Sequence, residues 1–246
     1  MKYLMVCSAF LSLFFSLVLL GCSSNPNHYK RKMSSIDYGD DLDCGLVSKG
    51  CLLKRDSSRL IIFFRGWVSP DMASRYGGSR KQVAAKDWAN AAEDLIFEDL
   101  KLNDIELESS LYVLGSAHLA LSQEELLVLM EESGAREIVF AAHSGGYKGM
   151  AATIRPMPLE FWSNVSGIWM LDNFYGGGSF ARDLERNFGV SFLQRNCFGF
   201  LTEHNRQSYQ ASYSRFCPQV LGHGVSHSGG VLQCMPYFEK GEACRP

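Results

Sequence analysis

The sequence predicts an α/β domain with a mostly parallel central sheet and helices on both faces. Three observations carry that expectation. Short unbroken apolar runs recur along the chain, among them Arg-Leu-Ile-Ile-Phe-Phe at 59–64 and Ile-Val-Phe-Ala-Ala at 138–142. Runs that lack polar alternation belong to strands buried on both faces, as parallel strands are. Stretches with helical spacing separate these runs, and strand–helix–strand crossovers keep successive strands parallel. Finally, residues able to do chemistry stand directly after the runs, where an open parallel sheet collects its ligands.

The first 21 residues stand apart from that domain. Lys2 gives a short basic start, and 9–20 is apolar except for Ser12 and Ser16. The run is too short for a good spanning helix and has the layout of a secretory signal. Its end, Leu19-Leu20-Gly21-Cys22, resembles the bacterial lipobox, in which the signal is cut before a cysteine that is then lipidated. The resemblance implies an anchor on Cys22, because each buried acyl methylene contributes about 0.8 kcal/mol. Ser23, rather than an aspartate, follows the cysteine, and in that sorting pattern this leans toward the outer membrane. Polar, proline-bearing residues 23–36 read as a tether. The expected organisation is a signal at 1–21, an anchor and flexible tether at 22–43, and one domain at 44–246. The protein is expected in a bacterial cell envelope, facing the periplasm.

Within the domain the elements follow in order. The strand at 59–64 leads into a loop marked by Gly66, Pro70, Gly77 and Gly78. From 80 to 100, Val83, Ala84, Trp88, Ala91, Ala92, Leu95 and Ile96 recur at helical spacing. A strand at 111–114 comes next. Ser122, with Glu125 three residues on, forms a capping box that opens a helix to about 133. The strand at 137–142 ends at Ser144, and a helix at 145–153 is stopped by Pro156 and Pro158. A strand at 165–171 ends in Asp172, a helix covers 179–187, and a strand at 197–202 ends in Glu203. The stretch 205–222 is the least regular; it holds either a last strand at 219–221 or an excursion pinned by Cys217.

One serine, acidic residues after it and histidines last give the order Ser…Asp/Glu…His. The segment Ala142-His143-Ser144-Gly145-Gly146 resembles the nucleophile elbow Gly-x-Ser-x-Gly of the α/β-hydrolase superfamily, and the resemblance extends over roughly 59–240. Ala142 stands where the first glycine usually does. The resemblance implies an α/β-hydrolase-like sandwich and a serine hydrolase of the esterase or lipase kind. Ser144 would be the nucleophile. The base would be His227, with His223 as the alternative, on the loop after the last strand. The acid would be Asp172, with Glu203 as the alternative. Backbone N–H groups of Gly145 and Trp67 would form the oxyanion hole. His118 would line the pocket and His143 would be structural. No cofactor and no metal are implied. The substrate would be a small or envelope-borne ester, thioester or amide. A peptidase or an acyltransferase could use the same residues, and a non-catalytic envelope lipoprotein could keep the fold alone.

Composition and cysteines set further bounds. The chain has 246 residues, 46% hydrophobic and 20% charged, with a net charge of −2. No basic stripe appears, which excludes a nucleic-acid footprint. Apart from Cys7 and Cys22, six cysteines remain, an even number that suits an exported, disulfide-bearing chain. Short separations favour Cys44–Cys51 and Cys234–Cys244, which leaves Cys197–Cys217. A zinc site using cysteines with His223 and His227 is the rival reading, but no Cys-x-x-Cys pair exists.

Overall fold

The computed structural model describes residues 42–67, 88–96, 105–173, 177–201, 217, 219–223 and 232–242. All of them lie in the unit Gly39–Pro246. Eight strands form one sheet: β1 (Leu42–Asp43), β2 (Gly50–Leu53), β3 (Arg59–Phe64), β4 (Ser110–Leu114), β5 (Glu137–His143), β6 (Val165–Leu171), β7 (Cys197–Leu201) and β8 (Gln219–His223). Their spatial order is β1-β2-β4-β3-β5-β6-β7-β8. From β4 through β8 every pairing is parallel, while β1 and β2 attach antiparallel at one edge. This is the mostly parallel α/β sheet expected from the sequence.

The described helices are α1 (Trp88–Leu95), α2 (Gln123–Ser133), α3 (Tyr147–Ile154), α4 (Gly177–Phe188), α5 (Val190–Asn196) and α6 (Met235–Glu239). Side-chain alternation along the strands sorts them into two layers. Leu60, Ile62 and Phe64 of β3, with Ile138, Phe140 and Ala142 of β5, share one core with Leu126 of α2, Met150 of α3, Leu184 of α4 and Leu193 of α5. The intervening residues Ile61, Phe63, Val139 and Ala141 are equally buried but face the other way. On that side Trp169 of β6 meets Phe238 of α6 with ring centroids 5.8 Å apart, and Cys51 of β2 lies 3.2 Å from the Ala89 carbonyl of α1. Helices therefore cover both faces, and the continuous apolar runs are explained.

Local signals fix several boundaries. Ser122 Oγ accepts from Glu125 N at 3.2 Å, and Glu125 Oε2 accepts from Ser122 N at 2.7 Å. The same carboxylate takes a 2.7 Å bond from Lys49 Nζ, which ties α2 to the turn before β2. Gly134, at φ +69°, closes α2 in the left-handed conformation that favours glycine. Tyr112 of β4 is buried and donates to the Val47 carbonyl at 3.0 Å. Burial, and then the nearby Glu125 charge, push its phenol pKa upward.

Some elements differ from expectation. The helix expected at 80–100 is described only as α1, the remainder lying outside the described residues. The helix after Ser144 begins with a 3₁₀ turn, Ser144–Gly146, before α3. The irregular stretch does end in a strand, β8, which runs to His223. The β1–β2 edge and α5 lacked a readable pattern. Leu42 and Asp43, the last two residues of the expected tether, form β1. Two expected disulfides are present: Cys44–Cys51 and Cys197–Cys217, with Cα–Cα distances of 4.0 and 4.9 Å. Cys234 is disulfide-bonded, but its expected partner Cys244 lies outside the described residues.

Candidate active site

β5 runs directly into Ser144. The strand is buried from 138 to 142, and His143 is half-buried. Ser144 then takes φ +49°, and the chain turns at once into the 3₁₀ turn and α3. For an L-residue the left-handed region costs roughly 1–2 kcal/mol. Strain of this kind persists only where packing enforces it, and it gathers at functional sites.

The enforcing contacts come from glycines. A Cβ on Gly146 would collide with the Phe64 carbonyl, and at 2.6 Å with that of Arg65, so only glycine lets the turn lie against the end of β3. A Cβ on Gly66 would stand 2.8 Å from Ser144 Cβ and 3.2 Å from His143 Nδ1. A Cβ on Gly145 would stand 2.7 Å from Trp67 Nε1. The loop after β3 and the turn after β5 are thus packed closely together at Ser144. Arg65 holds that loop from behind: it is buried and donates through Nη1 to the Ala91 carbonyl of α1 at 2.7 Å. Ala142 is fully buried opposite Phe64, and the close approach needed there is supplied by Gly66 and Gly146.

A second strained residue stands beside the first. Asp172 also has φ +49° and directly follows β6. His143 and Leu171 are Cα partners on the adjacent parallel strands, so Ser144 and Asp172 leave the sheet side by side. Asp172 is fully buried, and its N–H continues the ladder to the Phe200 carbonyl at 2.8 Å. Asn173 is fully buried as well; its Nδ2 reaches only Met170 Sδ at 3.7 Å, and its Oδ1 has no hydrogen-bond partner. An unsatisfied buried acceptor of this kind is rare in folded proteins.

Above the turn, Trp67 is half-buried and flanked by two basic side chains. The His118 ring meets it edge-on at 4.4 Å between centroids, and Lys148 Nζ lies 5.2 Å from the indole centroid.

Of the residues singled out in the sequence, the structure gathers Ser144, Gly145, Trp67 and His118, and sets Asp172 level with Ser144 on the next strand. His223 is the last residue of β8, paired with Leu201. His227, Glu203 and Cys22 lie outside the described residues. The sequence points to the Arg65-Gly66-Trp67 segment after β3 but carries no sign of the close approach at Gly66 or of the settings of Lys148 and Asn173. Gly66 had a usable signal, since Arg-Gly-Trp directly follows an apolar run, where an open parallel sheet gathers its ligands. Among the described residues no group of three or more His, Cys, Asp or Glu could hold a metal ion.

No family model matches the chain. No curated protein matches its sequence. Solved structures do resemble it at low identity. Naproxen esterase (carboxylesterase NP) from Bacillus subtilis is 11% identical, with 77% of this chain and 84% of that one covered at a TM-score of 0.39. The poly(3-hydroxybutyrate) depolymerase LpqC from Bordetella parapertussis is 10% identical, with 82% and 88% covered at a TM-score of 0.41. Carboxylesterase CesB from Bacillus subtilis is 8% identical, with 77% and 83% covered at a TM-score of 0.33. Likenesses this distant carry no functional weight, which rests on the geometry of the site.

Proposed function

We propose that the protein is a serine hydrolase that cleaves an ester, thioester or amide through an acyl-enzyme on Ser144. The observation that carries this reading is the strained serine between β5 and α3, held there by glycine contacts from two loops. A structural serine has no need of a left-handed backbone, whereas a nucleophile must be lifted clear of the sheet.

In the proposed reaction Ser144 Oγ attacks the carbonyl carbon while a histidine takes its proton. The resulting oxyanion is met by the N–H groups of Gly145 and Trp67. The contact between Gly66 and Ser144 Cβ favours that assignment, because the Gly66–Trp67 peptide begins beside the nucleophile. The histidine then returns the proton to the leaving group as the tetrahedral intermediate collapses, and water repeats the sequence to release the acid. His227 is preferred as base over His223 on a backbone argument. β8 stands three strands from β5, a lateral distance of about 14 Å at ordinary strand spacing. A residue ending β8 is far from Ser144, whereas four more residues of chain can return toward it. Asp172 is preferred over Glu203 as the acid, because it is buried and leaves the sheet beside the nucleophile.

A fluorophosphonate probe tests the proposal. Folded protein should gain the phosphonyl mass on Ser144, and Ser144→Ala should not label. A folded wild-type protein that neither labels nor turns over p-nitrophenyl butyrate would be a non-catalytic member of this architecture. Loss of turnover in Asp172→Asn but not in Glu203→Gln, and in His227→Ala but not in His223→Ala, would support the assigned partners. We also propose lipidation of Cys22 and attachment to the bacterial envelope. Cys22→Ser should then shift the protein from the membrane to the soluble fraction.

A further inference from the structure

We propose that Lys148, held over Trp67 with His118 alongside, forms a subsite for a carboxylate on the substrate. The inference rests on the hydrolase reading and narrows its substrate class to esters that carry an acid group.

The placement is specific. One indole ring touches both the elbow and the ammonium: its Nε1 edge closes on Gly145, and its face lies 5.2 Å from Lys148 Nζ. A single ring width therefore separates the reacting serine's neighbour from a positive charge. Lys148 is exposed, and its described contact is this ring rather than a carboxylate. A cation held over an aromatic face keeps its outward N–H donors available for an anion. His118 is exposed too, and its ring packs against the same tryptophan at 4.4 Å, so a second N–H-bearing group borders the spot.

The position is also costly on general grounds. Lys148 falls in the first turn of α3, which contains no acidic residue. A helix N-terminus is the positive end of its dipole and favours anions over cations. Lysine there opposes the helix unless another group offsets it, and the indole does so only in part. A bound carboxylate would satisfy the ammonium and the dipole together. Nothing in the packing calls for a lysine here: the core contacts of α3 are made by Met150, Ala151 and Ile154.

The experiment compares kcat/KM for matched esters. Mono-p-nitrophenyl glutarate is set against p-nitrophenyl pentanoate for a carboxylate on the acyl side. The ester 3-acetoxybenzoate is set against phenyl acetate for one on the leaving group. Each pair is measured with wild type, Lys148→Gln and Lys148→Arg in full-length protein. We expect the anionic-to-neutral ratio to fall at least about threefold in Lys148→Gln in one pair, the loss expected for one partly exposed charge contact. Arginine should restore most of it, and the responding pair identifies which side of the ester carries the acid. A smaller change in both pairs overturns the subsite while leaving the hydrolase reading intact. Failure of wild type to turn over any of the four esters, together with no fluorophosphonate label on Ser144, overturns the hydrolase reading and the subsite with it.

Discussion

The two ends of the parallel strands differ in kind. At the N-terminal end of β3, a cavity of about 830 Å³ opens between the β2–β3 connection and the end of α2, bordered by Lys54, Arg55, Asp56, Glu131, Glu132 and Arg136. It is roomy and charged, but its charges are mixed in sign, and several of these side chains are exposed. At the C-terminal end two non-glycine residues are held at φ +49°, three glycines meet backbone or side-chain atoms at close range, and Asp172 and Asn173 are fully buried. The described cavity and the strained residues therefore stand at opposite ends of the strands. The strained end is the better guide, because strain and buried polar groups cost stability and persist only where something enforces them. An open charged groove costs the fold little.

The largest expected effect is on the strained end. Ser144→Ala should lower turnover on the order of 10⁶-fold, as loss of an acyl-enzyme nucleophile does, and should abolish fluorophosphonate labelling. Comparable turnover in the variant would remove the chemical difference between the two ends. Ser144→Gly sharpens the same comparison. It should be equally inactive yet more stable by about 1 kcal/mol, because glycine takes φ +49° without the Cβ penalty. A lower melting temperature for Ser144→Gly than for wild type would mean that the serine's own contacts outweigh the strain.

Glycine substitutions read the enforcing contacts. Gly146→Ala should destabilise by about 3 kcal/mol, since its Cβ meets the Phe64 and Arg65 carbonyls, backbone atoms that cannot step aside cheaply. Gly134→Ala, at the cavity end, would place its Cβ with nothing within 4 Å, so only the φ of +69° opposes it. It should lose about 1 kcal/mol, the cost of the left-handed conformation. Urea melts of the two variants check the order; equal losses would mean that close approach adds nothing at the elbow.

These residues also show where the sequence was legible. β3, β5 and β6 could be read because each is buried on both faces and predominantly apolar, Ser166 being the one polar residue inside them. The start of α2 could be read because both halves of its capping box are local in sequence. Ser144 was legible for the same reason, as its small neighbours are adjacent. The rest of the site is made by contacts distant along the chain. Gly66 matters only because β3 and β5 are spatial neighbours, and Lys148 acquires its setting from a tryptophan 81 positions earlier, the difference between 148 and 67. The equal level of Ser144 and Asp172 follows from strand register, which no spacing reveals. At the sheet's edge, β2 is a four-residue strand beside a two-residue one, too short for any period to emerge. α5 went unread because Gly189, at φ +75°, breaks the helical run after Phe188 and leaves only seven residues.

A covalent link belongs to neither end's chemistry and reads the sheet itself. Cys197 begins β7 and is bonded to Cys217, a separation of 20 residues just ahead of β8. In the loop-entropy account, closing a loop of that size stabilises by about 3 kcal/mol. Cys197→Ala with Cys217→Ala should lose an amount of that order in a urea melt. The loss should exceed that from any single exposed charge at the cavity.

The smallest effect is expected at the cavity. Arg136 is exposed, and its backbone N–H, not its side chain, bonds the Ser58 carbonyl at 2.7 Å. Substituting serine keeps that bond and removes one cation from a border that also contains Lys54 and Arg55. Stability should change by no more than about 0.5 kcal/mol, as for most surface substitutions, and ester turnover should stay within twofold of wild type. The neighbouring ion pair gives the same reading: Arg59 Nε lies 3.7 Å from Glu137 Oε2, with both side chains more than a third exposed, and such pairs contribute little. A tenfold loss of turnover in Arg136→Ser would overturn the contrast, because it would couple the open end of the sheet to the strained one. With the buried strands β3 and β5 between them, the expected result is two ends that respond independently to substitution.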